Sequence, residues 1–132
     1  DVDIDPVALA DDMRASVTFQ DQLSEVDLDK VLSLYGIDSE IVDSGKAYLS
    51  TNATAEEIAV IKAKTAEDVD TIKTAVQNRV ASQLQSFESY NANEVPKLEN
   101  PVIETAGNCV ILCVCDDKGE AEAVIDSYTA AK

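Results

Sequence analysis

The chain has 132 residues, 10 Lys plus Arg against 26 Asp plus Glu, and a formal net charge of −16. That length reads as one domain, 1–132, with a core that needs no disulfide or metal staple. A hydrophobic fraction of 45% is too high for a disordered acidic tail, the charge repels a phosphate backbone and so argues against nucleic acid, and the lack of any His removes the commonest general base and metal ligand.

Asp1 to Asp5 form an acidic leader expected to be flexible. Asp5 then reads as an N-cap and Pro6 as a first helical residue, where no N–H is needed. Val7, Ala10, Met13 and Val17 follow at helical spacing and predict a helix over 6–17. After a break at Thr18-Phe19-Gln20-Asp21, the stripe Leu28, Val31, Leu32, Tyr35 marks a second helix. Gly36 and Ile37 supply its left-handed C-cap and capping contact.

The period then changes. Residues 45–50 alternate, residues 57–64 are dense in Ile, Val and Ala, and the polar turn Thr51-Asn52-Ala53-Thr54 joins them as a hairpin. Thr65 as cap and acids in the first turn open a long helix from about 66 to about 90. Its stripe is Val69, Ile72, Val76, Val80, Leu84 and Phe87. Asn91-Ala92-Asn93 and Pro96 end it, and the stretch to Asn100 reads as a polar loop. Residues 102–105 and 109–115 predict a second hairpin around Ala106-Gly107-Asn108. Asp117 and Glu120 sit in capping-box spacing before a final helix over 120–131, with the stripe Ala121, Val124, Ile125, Tyr128. The expected fold is α+β, in the order α-α-β-β-α-β-β-α. Its four-stranded, mostly antiparallel sheet carries the 66–90 and 120–131 helices on one face.

Cys109, Cys113 and Cys115 all lie on the second apolar run, on one strand face with Ile111. Cys113 and Cys115 would be ~6.6 Å apart at Cα with parallel side chains, a poor geometry for a disulfide. A zinc site would need ligands that no His or further Cys supplies. The thiols are therefore expected to be reduced, buried and free of metal.

Catalytic constellations are scarce. Asp1, Asp3, Asp5 and Asp12 imitate a calcium loop, but Pro6 occupies the position that requires a turning Gly. No phosphate-cradling glycine loop exists, and without His a Ser-His-Asp system is impossible. The sequence calls for no cofactor and no metal. Charged residues inside apolar patterns are more informative. Glu57 and Lys62 lie on the 57–64 strand and Arg79 flanks the stripe of the long helix. They are candidates for a charged cluster between sheet and helix that binds an anionic or zwitterionic ligand. The competing expectation is long side chains snorkelling at the core edge in ion pairs.

The segment Glu57-Ile58-Ala59-Val60-Ile61-Lys62-Ala63-Lys64, then Ala66-Glu67-Asp68, Arg79, Gln83, Phe87 and Tyr90, resembles a family of unknown function found in predicted lipoproteins of clostridia and related Gram-positive gut bacteria. The likeness runs from the first helix to Cys115 and includes Leu34-Tyr35-Gly36-Ile37 and the Gly107-Asn108 turn. Where members commonly follow the position of Tyr90 with Pro, this chain has Asn91. The family carries no assigned activity. The resemblance implies an exported domain, tethered to the membrane by a lipid on a Cys upstream of Asp1. That would fit a chain that starts with Asp1 and has Met13 as its one methionine. Its longest apolar run, Cys109–Cys115, is far short of the ~20 residues of a spanning helix. The leading expectation is a non-catalytic extracytoplasmic domain that binds a partner protein or envelope component. A small-ligand or cation-binding module is the alternative, and an enzyme ranks third.

Overall fold

A computed structural model describes residues 3–130. Its centre is set by two strands, β3 (Glu57–Ala63) and β5 (Cys109–Val114), which are apolar at almost every position rather than at alternate ones. A strand with no polar side must be covered on both faces. Ala59, Ile61 and Ala63 of β3, with Val110, Leu112 and Val114 of β5, face α2 (Leu28–Tyr35), α3 (Val69–Tyr90) and α4 (Val95–Glu99). Ile58, Val60, Cys109, Ile111 and Cys113 face α1 (Pro6–Ser16) and α5 (Lys118–Thr129). The result is an α+β fold of three layers with a core on each side of the sheet.

The sheet has five strands, not the four expected, and the long and final helices lie on opposite faces, not on one. Every neighbouring pair is antiparallel in the order β1-β2-β3-β5-β4. The added strand, β1 (Ser24–Val26), edges β2 (Val42–Leu49) between the first two helices. β4 (Val102–Ala106) forms the other edge. The two helices part company because β3 and β5 offer an apolar stripe on each side, and one helix layer can bury only one of them.

Local chemistry explains most of the ends. Asp5 accepts hydrogen bonds from the N–H groups of Val7 and Ala8, and Pro6 opens α1. Gly36 takes φ +71° and Ile37 N–H returns to Leu32 O at 2.8 Å, closing α2. Asp117 caps α5 through the N–H of Glu120. Thr65 makes no such cap. Its hydroxyl donates to Asp68 at 2.9 Å, a 3-10 turn spans 66–68, and α3 begins at Val69. The expected loop 91–100 holds a 3-10 turn over 92–94 and then α4, which Pro96 fits by sitting in its first turn. Asp3 to Asp5, expected to be flexible, is docked: Ile4 is buried in the α1/α5 core and Asp3 binds Lys62. Asp1 and Val2 lie outside the described residues.

Gly45 is required by close approach. A Cβ there would lie 2.8 Å from Val60 O on the paired strand and 3.2 Å from Leu28 of α2. The glycine lets α2 settle onto the sheet.

Candidate functional site

β3 begins beside two consecutive glutamates, Glu56 and Glu57, whose side chains leave the chain in different directions. Each anchors a separate polar cluster at the same end of the sheet.

Glu57 points into the α2/α3 layer. Arg79 of α3 grips it with two bonds, Nε to Oε2 at 3.2 Å and an Nη to Oε1 at 2.9 Å. The Tyr35 hydroxyl donates to the same carboxylate. The Arg79 guanidinium also lies 5.4 Å from the centre of the Tyr35 ring, a cation–π contact. Glu57 is 4% exposed and the Arg79 side chain 15%. Burial works against the Arg79 charge, but the hydrogen bonds and charge of Glu57 outweigh it and raise its pKa. Burial first, and then the Glu57 charge, push the Tyr35 phenol well above its ordinary value.

Glu56 is fully buried. It accepts hydrogen bonds from the N–H groups of Gln20 and Asp21, from the Thr54 hydroxyl, and from Lys97 Nζ at 3.4 Å. Lys97 of α4 also bonds both oxygens of Glu94, at 2.9 and 3.1 Å, and Glu94 takes the N–H of Ala55 at 2.7 Å. Gln20 reaches on to Asp116 at 2.8 Å. One ammonium thus sits between two buried carboxylates, and backbone N–H groups supply most of the remaining compensation. Burial opposes the Lys97 charge, yet the Glu94 hydrogen bond and the Glu56 charge leave its pKa raised. The cluster ties together the 20–21 loop, the 51–55 turn, α4 and the end of β5.

Of the three residues singled out in the sequence, Glu57 and Arg79 meet and Lys62 does not join them. Lys62 lies near the other end of β3, on the α1/α5 face, and bonds Asp3 at 2.9 Å and Ile4 O at 3.4 Å. It lies five positions after Glu57, an odd offset, so alternation puts the two on opposite faces. Sequence reasoning missed Glu56, Glu94, Lys97 and Gln20. The available signal was the Glu94–Lys97 spacing of three, which is helical. The acids of the imitated calcium loop disperse: Asp3 binds Lys62, Asp5 caps α1, Asp12 accepts from Tyr128, and Asp1 lies outside the described residues.

The cysteines are free and buried. Burial pushes the Cys109 thiol up to about 11. Cys115 donates its S–H to Asp117 O at 3.4 Å, and the closeness of the two thiols raises the pKa of Cys113 and lowers that of Cys115. Cys115 lines a cavity of about 300 Å³ with Pro96, Lys97, Asn100, Asp116 and Lys118. Among the described residues no group of three or more acids and cysteines is arranged to hold a metal ion, and no helix is long and apolar enough to cross a membrane.

Residues 15–115 match the family described as Domain of unknown function (DUF4358). The chain belongs to this family. No curated protein and no solved structure matches it. The DUF4358 segment starts inside α1 and ends just after β5, so it contains the whole sheet and leaves α5 outside. Tyr35, Glu57 and Arg79 fall within it, as do Gln20, Glu56, Glu94 and Lys97, while Asp116 falls one residue beyond.

Proposed function

We propose that this DUF4358 chain is a non-catalytic extracytoplasmic domain, tethered by a lipid upstream of Asp1, that binds a partner protein or envelope component through its acidic surface. The supporting observation is the internal closure of its buried charges. Glu57 is spent on Arg79 and Tyr35, Glu56 and Glu94 on Lys97 and backbone N–H groups. Among the described residues no buried side-chain nitrogen or oxygen lacks a partner. Groups that hold each other this way fix the fold. The buried acids Glu56, Glu57 and Glu94 are nearly balanced by Arg79 and Lys97, so almost all of the net charge of −16 is carried on the surface, where it selects cationic partners and repels anionic ones.

The test uses the gene with its native start, expressed in the source bacterium fed an alkyne fatty acid. The domain should carry the label, fractionate with membranes and be cut by protease added to intact cells. Recovery in the cytosol without label overturns the tether. Photo-crosslinkers at exposed acids should yield one reproducible product that weakens with salt.

A second reading, a small-ligand module, draws on the cavity between Lys97 and Lys118. A thermal-shift screen of small carboxylates and amino acids decides it. A ligand at 100 times its Kd adds about 2.7 kcal/mol. A shift of that size, abolished by Lys118→Met, would displace the partner-binding reading.

A further inference from the structure

β4 is an open edge with a readable hydrogen-bond phase. Gly107 and Asn108 both have left-handed backbones, φ +54° and +62°, so they form a two-residue hairpin turn. In such a hairpin the flanking pair, Ala106 and Cys109, is hydrogen-bonded, and bonded pairs then alternate along the strand. Val102, Glu104 and Ala106 therefore direct their N–H and C=O groups at β5, and Ile103 and Thr105 direct theirs away from the sheet. Among the described residues no other element or side chain bonds those outward groups.

The chemistry beside this edge is of one sign. Glu104 shares a face of β4 with Val102 and Ala106, the face covered by α5, and α5 places Glu122 and Asp126 near it. Burial, then the charges of Asp126 and Glu122, raise the pKa of Glu104. No ion pair neutralises any of the three among the described residues. The other edge differs: β1 is only three residues long, and Lys46 of neighbouring β2 lies 3.6 Å from Glu25 and 2.7 Å from Asp11. A second copy of this chain fits β4 badly. Antiparallel pairing centred on the strand would set Glu104 against Glu104, and like charges directly opposite destabilise a sheet.

Deepening the partner-binding reading above, on which this rests, we infer that β4 receives an extended basic segment of a partner protein as a sixth strand. Its backbone pairs with Ile103 and Thr105, and a Lys or Arg lies against Glu104.

The probe is a fluorescein-labelled peptide alternating Lys and Val, compared with one alternating Lys and Pro. The second has the same charge but lacks half of the N–H groups needed for a ladder. Anisotropy should show the Lys/Val probe binding at least about tenfold tighter, and Glu104→Lys should weaken it about tenfold. Deuterium uptake across 102–106 of the unmodified chain should slow when the probe binds. Equal affinity of the two probes, or unchanged uptake at 102–106, overturns the inference. If uptake is unchanged while the crosslinked partner maps elsewhere, the edge assignment falls and partner binding stands. If the edge is protected but no crosslinked product forms in cells, the assignment of β4 as an edge that takes a basic strand stands, and the partner protein as its occupant falls with the partner-binding reading.

Discussion

Arg79→Met isolates the worth of the Glu57 cluster. Methionine keeps an apolar stem beside the Tyr35 ring but deletes both bonds to Glu57, leaving a carboxylate that is 4% exposed with Tyr35 as its one side-chain donor. Breaking one partner of a buried ion pair costs roughly 3–5 kcal/mol. The Arg79 side chain retains 15% exposure, so water already screens the pair, and the lower end, about 3 kcal/mol, is expected. Unfolding entropy of ~2.1 cal/mol/K per residue gives ~0.28 kcal/mol/K for this length, so Tm should fall by about 11 °C. Glu57→Gln added to Arg79→Met should return about half of the loss, because the amide still accepts from Tyr35 and no unpaired charge stays buried. Urea unfolding of parent, single and double variants reads both numbers. A loss below about 1 kcal/mol, or a double variant no better than Arg79→Met, would refute the account of Glu57 as a buried anion held by Arg79.

Three further outcomes are expected. Lys97→Met leaves the carboxylates of Glu56 and Glu94 without their shared cation and should cost about 3 kcal/mol in urea unfolding, with partial recovery on adding Glu94→Gln. Burial and carboxylate partners raise the pKa values of Tyr35, Tyr48 and Tyr128, the last to about 12. The native state therefore binds more protons than the unfolded chain above pH 10. Stability should be full below pH 10 and fall as pH rises toward 12, and absorbance at 295 nm should show these phenols ionising late. Iodoacetamide should alkylate Cys115 first, since it lines the cavity and its thiolate is favoured by Cys113, and peptide mapping that finds Cys109 modified equally fast would refute this.

What the sequence made legible follows from range. The stop at Gly36 and the stripe of α3 are local patterns, decided within a few residues, and both stand where expected. β1 is three residues long with no alternation of its own, and it is a strand because β2 lies beside it. The need for helices on both faces was written in the unbroken apolar runs of β3 and β5, and one covering layer was expected despite them. Lys62 could have been separated from Glu57 by counting alternate positions. The Glu56 cluster lay beyond such counting. Its bonds join Gln20, Glu56 and Lys97 across 36 to 77 positions, and no local period encodes that distance.

The pairing of α1 with α5 has a consequence for the chain as a string. Asp12 meets Tyr128, and Glu120 accepts from Thr18, so the two helices run side by side in opposite directions. Residues near 5 and near 130 therefore come out at the same pole of the molecule. A short engineered linker could close them into a ring, and new ends could be cut at the exposed 51–53 turn without parting any of the central strands. A cargo joined next to residue 5 or residue 130 would leave from that one pole, beside α1 and α5.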